Sequence, residues 1–184
     1  MISFCGITPG ELEAIIGQHG YTTEQAKKVT SRFYRSGIHS FDEMQGIPIT
    51  LIRQLVDTFN NGLPVIRKVS KSSDGSVKYL YRSDRGLEFE SVFIPDGKRN
   101  TVCVSSQCGC KIGCPFCLTG SMGFKGDLSA GEIVAQVLSL PDYHQKVTNI
   151  VFMGMGEPMD NLQEVLKAGK DFYIRMGLAI GTVT

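Results

Sequence analysis

The chain has 184 residues, of which 42% are hydrophobic, so it can form one domain or two small ones. Its formal net charge of +1 means that the composition gives no strongly basic signal of nucleic-acid binding. No apolar run is long enough to cross a membrane, and the first residues lack the basic and apolar regions of a signal peptide. These features predict a cytoplasmic protein with no membrane partner.

Residues 1–62 are predicted to form a helical accessory domain. Capping boxes at 8–11 and 22–25 begin the first two helices, a very short third helix begins at Ser40, and a fourth begins at Pro48. The second helix also carries basic side chains and a tyrosine, which form either an RNA-backbone contact or an ordinary solvated helix face. These residues are Lys27, Lys28, Arg32, Tyr34 and Arg35.

Residues 63–100 have the alternating pattern of a β-hairpin extension. Two strands at 65–69 and 77–82 flank a turn, and a third at 89–94 is predicted to end at Pro95. Basic and aromatic side chains on the second strand fit either RNA stacking or cross-strand pairing in a half-exposed sheet. They are Lys78, Tyr79, Tyr81 and Arg82.

Residues 101–184 alternate between strand and helix patterns. The predicted elements are a strand at 101–105, a helix at 129–140, a strand at 147–153, a helix at 161–176 and a strand at 179–184. The apolar side chains of the second helix are expected to face inward; they are Leu162, Val165, Leu166 and Phe172. This order predicts an α/β fold with right-handed βαβ units around a parallel sheet. Because the pattern stops inside a strand, we expect the chain to be a fragment of a longer protein.

Five of the six cysteines lie between Cys103 and Cys117, which indicates metal or redox chemistry in a reducing compartment. Cys110, Cys114 and Cys117 have the spacing C-x3-C-x2-C. Zinc sites require four ligands and usually combine paired C-x2-C arms, whereas three thiolates on one loop fit a [4Fe–4S] cluster with one open iron. The spacing therefore favours an iron–sulfur cluster.

Several motifs around these cysteines resemble known enzymes. The C-x3-C-x2-C loop, with Phe116 before its last cysteine, and the segment 153–158 resemble radical S-adenosylmethionine enzymes and their "GGEP" segment. The longer motifs at 103–110, 119–124 and 131–136 are similar to the bacterial dual-specificity RNA adenine-C2 methyltransferases. Enzymes of that family modify 23S ribosomal RNA and a set of tRNAs.

The resemblance implies a fold and a cofactor site. It implies a helical accessory domain, a β-hairpin segment and the first βαβαβ units of a truncated (βα)6 radical SAM barrel. Cys110, Cys114 and Cys117 would bind the 4Fe-4S cluster, and Gly156 and Glu157 would contact S-adenosyl-L-methionine. The cluster would reduce the cofactor and generate a 5′-deoxyadenosyl radical.

Two catalytic residues are also implied by the resemblance. Glu90 matches a glutamate described as a proton acceptor. Cys103 matches a cysteine that helps resolve the covalent adduct between the enzyme and its RNA. In doing so, that cysteine forms a transient disulfide with a methyl-carrying cysteine, which would lie beyond this chain. The resemblance further implies methylation at adenine C2, an electron donor such as flavodoxin and a monomer when full length. The chain alone is expected to be inactive.

Other interpretations of these residues remain open from the sequence. Glu90 can be a solvent-facing strand residue, Cys103 a small core residue, and the pair Gly156 and Glu157 a tight turn before a helix. A related C8-adenine methyltransferase is the alternative within the superfamily. An alternative from another class is a zinc-binding RNA module that uses Cys103, Cys108, Cys114 and Cys117.

Two positions depart from the resembled family. The family commonly has Arg-Asn where this chain has Gly126 and Asp127, so a contact made by that arginine is in doubt. Cys108 stands where an aliphatic residue is usual, and no family role is implied for it.

Overall fold

The computed structural model of the chain describes residues 1–141 and 147–180. An N-terminal group of helices packs beside a mixed sheet of six strands, and one hydrophobic core runs through both parts. Within the described ranges, no helix is both long enough and apolar enough to span a membrane.

The N-terminal part contains three helices and one small parallel pair of strands. These elements are β1 (Ile2–Ser3), α1 (Pro9–Ile16), α2 (Thr23–Arg35), α3 (Ile49–Thr58) and β2 (Phe59–Asn60), with short 3-10 helices at Gly17–His19 and Phe41–Glu43. The predicted capping boxes at Thr8 and Thr22 are confirmed, because each hydroxyl accepts a backbone N–H and each partner side chain returns the bond.

Phe4 joins the helices of this part at their centre. Its ring is fully buried, and its centroid lies 4.8 Å from that of Phe33, 5.1 Å from Phe41 and 5.3 Å from Phe59. All of these pairs have tilted or edge-to-face geometry, which aromatic quadrupoles favour. One side chain therefore ties together α2, the 3-10 helix at Phe41–Glu43, and β2.

The central sheet combines an antiparallel meander with parallel strands. Its strands are β3 (Val65–Lys71), β4 (Val77–Arg82), β5 (Glu88–Asp96), β6 (Arg99–Cys103), β9 (Asn149–Val151) and β10 (Ala179–Ile180). A separate two-stranded ladder pairs β7 (Gln107–Cys108) with β8 (Gly126–Asp127). The order in the main sheet is β10-β9-β6-β5-β4-β3, with β6, β9 and β10 parallel and the others antiparallel. The hairpin segment and the βαβ strands thus share one sheet.

Several strand boundaries differ from the predicted ones. Pro95 does not end β5, which continues to Asp96, because Pro95 pairs with Asn100 in the tight hairpin that turns at Gly97. The parallel strands β6 and β9 are also shifted or shorter than predicted. Residues 181–184 of the predicted last strand lie outside the described residues.

The helices that follow β6 are α4 (Leu118–Ser121), α5 (Ala130–Leu138) and α6 (Leu162–Lys170). The capping box that begins α5 is confirmed by the bonds between Ser129 and Glu132. The helix predicted at 161–176 is divided, since a 3-10 turn (Pro158–Asn161) precedes α6 and a π-helix (Asp171–Arg175) follows it.

The rest of the protein covers only part of the apolar face of α6. Phe172 is fully buried as predicted, but Leu162 and Leu166 are 40% and 58% exposed. They line an open groove of about 470 Å³ together with Met159 and Tyr173. Only part of the helix packs on the sheet, so the prediction that both leucines face inward was wrong.

The π-helix connects the sheet region to the N-terminal helices. Arg175 donates to the carbonyl oxygen of Ile7 at 2.6 Å, pairs with the buried Asp171 at 3.1 Å and lies over the ring of Tyr34 at 4.9 Å. Arg35 donates in return to the carbonyl oxygens of 174 and 175. Burial raises the pKa of Asp171 to about 6, while Arg175 acts in the opposite direction.

Candidate cofactor site

Glu90 and Cys103 lie on the same face of the central sheet. Val92 is opposite Cys103, and Cys103 is opposite Val151, so strand alternation places Glu90 two residues along on that face. The residues of the other face, such as Val102, are buried against helices. The face with Glu90 and Cys103 is only half-buried, so both side chains remain accessible from one side of the sheet.

Glu90 pairs with a lysine on the neighbouring strand. Its Oε1 lies 3.2 Å from Nζ of Lys78, and both side chains are partly exposed. Its backbone carbonyl oxygen accepts the hydroxyl of Ser105 at 2.5 Å, which holds β5 close to the segment after β6. The carboxylate is thus oriented by Lys78 and stands on the face that carries Cys103.

Cys103 is a half-buried free thiol at the end of β6. Burial raises its pKa above the ordinary value, and the backbone N–H of Met153 offsets part of that shift. All six cysteines of the chain are free thiols in this structure. At neutral pH the Cys103 sulfur therefore keeps its proton.

The three cysteines at 110, 114 and 117 lie on one loop that is closed at its base. We call residues 109–125 the cysteine loop. The pairing of β7 with β8 and the bond from the Lys125 N–H to the Cys108 carbonyl oxygen at 2.8 Å bring its ends together. Gly109 has φ +79°, and a Cβ there would overlap the carbonyl of Gly123. The loop can therefore close only with glycine at this position.

The backbone of the cysteine loop favours a thiolate at Cys117. The N–H groups of Gly120 and Thr119 bond its sulfur and lower its pKa. The Cys117 N–H also donates to the carbonyl oxygen of Cys114 at 3.0 Å, so the last two cysteines share one turn. Because the thiolate is the form that binds metals, this turn is suited to a metal ligand.

The donor set fits an iron–sulfur cluster in its chemistry. Cys110, Cys114 and Cys117 are all half-buried on the same loop, so their sulfur atoms are accessible. In residues 1–141 and 147–180, no three His, Cys, Asp or Glu side chains are already arranged as a metal site. The assignment of these three cysteines as cluster ligands therefore stays a prediction.

The segment Gly154 to Glu157 lies against the chain between β6 and β7. The carbonyl oxygen of Met155 accepts the N–H groups of Ser106 at 2.9 Å and Gln107 at 3.2 Å, and its N–H donates to the hydroxyl of Ser105 at 2.8 Å. These bonds fix the segment beside the residues that lead into the cysteine loop.

Glycine is required twice in this segment. A Cβ at Gly154 would lie 2.7 Å from the Ser105 hydroxyl, and a Cβ at Gly156, where φ is +94°, would lie 2.5 Å from Cβ of Gln107. The carboxylate of Glu157 accepts the N–H of Met159 at 3.0 Å and so begins the following 3-10 turn. The helix-start interpretation of Glu157 is observed, and its contact with a cofactor stays a prediction.

Gln107 is a central residue of this site that the sequence did not reveal. Its side chain is fully buried, Nε2 donates to Asp127 at 2.7 Å and Asp160 at 2.8 Å, and Oε1 accepts the Glu157 N–H at 3.0 Å. Lys111 lies 3.1 Å from Asp160 and 3.8 Å from Asp127. The bonds from Gln107 and Lys111 lower the pKa of Asp160. The only sequence signal was the place of Gln107 within the motif at 103–110.

Cys108 is not available as a metal ligand in this structure. It is 1% exposed, and its Sγ donates to the carbonyl oxygen of Glu88 at 2.8 Å. Its role is to hold β7 against β5. The zinc-binding alternative, which needs Cys108, is therefore not favoured.

Three of the residues that the sequence suggested for RNA contact have other roles. Tyr34 is buried with its hydroxyl accepting the Gly6 N–H at 2.8 Å, and Arg35 binds the carbonyl oxygens at the end of the π-helix. Tyr81 is buried and donates to the Gln136 carbonyl oxygen at 3.1 Å. On the second helix, Lys27 remains exposed.

Comparison with known proteins gives relatives of one kind. No family model matches the chain. It is 43% identical over 162 residues to a probable dual-specificity RNA methyltransferase RlmN of Phocaeicola vulgatus, a match that covers 88% of this chain and 46% of the relative. It is 40% identical over 173 residues to RlmN of Sulfurimonas denitrificans, covering 85% and 49%. The predicted resemblance is confirmed.

A solved structure supports the same likeness. A radical SAM methyltransferase from Sphaerobacter thermophilus superposes with a TM-score of 0.86 at 32% identity, over 94% of this chain and 52% of that one. The chain spans about half the length of the curated relatives it matches. The α/β fold is therefore that of a radical SAM methyltransferase over the matched part.

Proposed function

We propose that this chain supplies the cluster-binding loop and one edge of the cofactor site of a radical SAM RNA methyltransferase, which methylates adenine C2 in 23S rRNA and tRNA. The observation that carries the proposal is the identity of 40–43% to dual-specificity RNA methyltransferases over 85–89% of the chain. The closed loop with three accessible thiols supports it independently.

The cofactor roles are assigned from the family resemblance. Cys110, Cys114 and Cys117 would bind the 4Fe-4S cluster, and Gly156 and Glu157 would contact S-adenosyl-L-methionine. When bound, the cluster supplies an electron to the sulfonium group of the cofactor. The N–H groups of Gly120 and Thr119 lower the pKa of Cys117, which favours the thiolate form that binds metals. Glycine at 154 and 156 lets the backbone lie close to Ser105 and Gln107.

Two side chains on the open face of the sheet are proposed to act on the RNA adduct. Glu90 serves as the proton acceptor, and Lys78 orients its carboxylate. Cys103 would resolve the covalent adduct by attack of its sulfur on the sulfur of the methyl-carrying cysteine of the complete enzyme: the S–S bond forms as the bond from that sulfur to the adduct carbon breaks, and the carbon takes up a proton to become the methyl group. Because burial raises the pKa of Cys103, its thiol must lose its proton for this step.

The substrates, the electron donor, the location and the oligomeric state belong to the same proposal. The enzyme works in the cytoplasm on 23S rRNA and tRNA, receives electrons from a donor such as flavodoxin, and is a monomer when full length. The N-terminal helices (residues 1–62) and the hairpin strands (63–100) are proposed to contact RNA; they share a core and a sheet with the barrel part (101–184). The exposed Lys27 is the side chain of α2 best suited to contact phosphate.

A chimera tests the proposal in cells. This chain replaces the matched part of the Phocaeicola vulgatus relative, and the chimera is expressed in a bacterium that lacks its own adenine-C2 methyltransferase. Mass spectrometry of 23S rRNA and tRNA should detect 2-methyladenosine, which disappears with Cys114→Ala. The proposal is contradicted if the unaltered relative yields 2-methyladenosine but the chimera does not. A product of 8-methyladenosine would instead support the C8 alternative.

A further inference from the structure

We propose that Gln107 is a positioning residue of the cofactor site, which couples the cysteine loop to the backbone of Glu157 through one buried amide. The inference rests on the proposed function only in naming what the site holds. The coupling itself is a property of this chain's own hydrogen bonds.

One arm of the Gln107 side chain holds the segment proposed to contact the cofactor. Its Oε1 accepts the N–H of Glu157 at 3.0 Å, and its backbone N–H donates to the carbonyl oxygen of Met155 at 3.2 Å. The side chain also fills the space beside Gly156, where a Cβ would lie 2.5 Å from Cβ of Gln107. Gln107 therefore fixes both the position and the direction of the backbone at 155–157.

The other arm holds both ends of the cysteine loop. Nε2 donates to Asp127, which follows the loop, and to Asp160, which lies in the 3-10 turn after Glu157. Lys111, next to Cys110, contacts both carboxylates and lies 4.3 Å from the ring centroid of Phe124. The start and the end of the loop thus meet at two carboxylates that one amide orients.

This arrangement links the conformation of the cysteine loop to that of the segment 154–160. A shift of the loop changes the Lys111 and Asp127 contacts and, through Gln107, the position of the Glu157 N–H. The conformation of the loop and the shape of the segment at 154–160 are therefore coupled.

Hydrogen–deuterium exchange of the metal-free chain tests the coupling directly. Gln107→Met keeps the side-chain volume and removes all three side-chain hydrogen bonds, of which two are charge-assisted. We expect amides in 154–160 and 109–127 to exchange at least about tenfold faster, while α1 and α2 stay unchanged. The matched control is Gln163→Met, which replaces an exposed glutamine on α6. Exchange like that of the wild type at 154–160 overturns the proposal.

A reversal of polarity separates positioning from loss of packing. Gln107→Glu keeps an acceptor for the Glu157 N–H but places a carboxylate against Asp127 and Asp160, so protection should fall. Adding Asp160→Asn lets the new amide donate to that carboxylate, which should restore most of the protection at 154–160. A double variant no better than Gln107→Glu contradicts the assigned hydrogen bonds.

The reconstituted chain provides a readout that a purely structural role would not change. Gln107→Met should bind the same iron per chain as the wild type, yet need about ten times more S-adenosyl-L-methionine to alter the electron paramagnetic resonance signal of the reduced cluster. Unchanged cofactor affinity in this variant overturns the positioning role. The proposed function is contradicted if the wild-type chain assembles no cluster, or if the signal of its cluster does not respond to S-adenosyl-L-methionine. In that case the hydrogen–deuterium exchange result still decides the role of Gln107.

Discussion

The six cysteines of this chain differ in what surrounds their sulfur atoms. Cys5 and Cys108 are buried, and burial raises the pKa of Cys5. Cys103 is half-buried with a raised pKa, whereas backbone N–H groups lower the pKa of Cys117. Spacing in the sequence groups these residues together, but only their surroundings separate a ligand from a core residue.

Alkylation rates should follow these surroundings. In the metal-free chain at pH 8, Cys117 should react with iodoacetamide at least about tenfold faster than Cys103, because only the thiolate is nucleophilic. Cys5 and Cys108 should both be slower than Cys103, since their sulfur atoms are buried. Peptide mass spectrometry over a time course measures the order. Equal rates for Cys103 and Cys117 would mean that the two thiols have the same environment.

Gly156 should be far less tolerant of substitution than a glycine with a similar backbone in open space. Gly156→Ala adds a strained positive φ, which costs about 1–3 kcal/mol, and also a clash with Gln107. Gly113 has φ +66° and no atom within 4 Å of the position that a Cβ would take, so Gly113→Ala carries only the strain. Urea unfolding should therefore show a larger loss of stability for Gly156→Ala, and equal losses would contradict the close approach.

At the scale of elements, local signals were predicted well and tertiary ones were not. Each of the capping boxes that begin at Thr8, Thr22 and Ser129 spans four consecutive residues, and all three were confirmed. The ladder of β7 and β8 was missed, because strands of two residues exist only through partners that are distant along the chain. The π-helix was missed since its apolar pattern resembles that of a continuing α-helix.

The contact between the π-helix and the N-terminal helices should depend on pH. The pKa of Asp171 is raised to about 6 from an ordinary 3.8, so the folded chain binds a proton there that the unfolded chain releases between those values. Burying the charged carboxylate thus lowers stability at pH 7, and this cost fades as the pH falls toward the ordinary pKa. Solvent at the edge of the site screens part of it.

Asp171→Asn isolates this effect. The free energy of unfolding of the variant minus that of the wild type should be more positive at pH 7 than at pH 5, by up to about 1 kcal/mol. The pKa of about 6 already includes the favourable pairing with Arg175, so the expected difference is net of that pairing. Urea unfolding at pH 5, 6, 7 and 8 gives the curve, with the exposed Asp57→Asn as control. A difference that is constant over this range contradicts the buried charge.

At the scale of the whole molecule, the sheet explains why distant motifs form one site. The parallel strands β6 and β9 end at the same edge, and the cysteine loop and the Gly154 to Glu157 segment follow those two ends. The order of strand and helix patterns predicted this edge. Gln107 could not be predicted, because its partners Asp127, Glu157 and Asp160 meet it only in the folded chain.

The most direct test of a cluster on the cysteine loop is anaerobic reconstitution of the purified chain with iron and sulfide. We expect a brown, oxygen-sensitive protein with about four iron and four sulfide per chain and the electron paramagnetic resonance of a reduced cubane cluster. Cys114→Ala should abolish the cluster, whereas the matched Cys108→Ala should keep it, because that sulfur bonds the Glu88 carbonyl oxygen. Stoichiometric zinc without iron, or loss of the cluster in Cys108→Ala and its survival in Cys114→Ala, would contradict the cluster assignment.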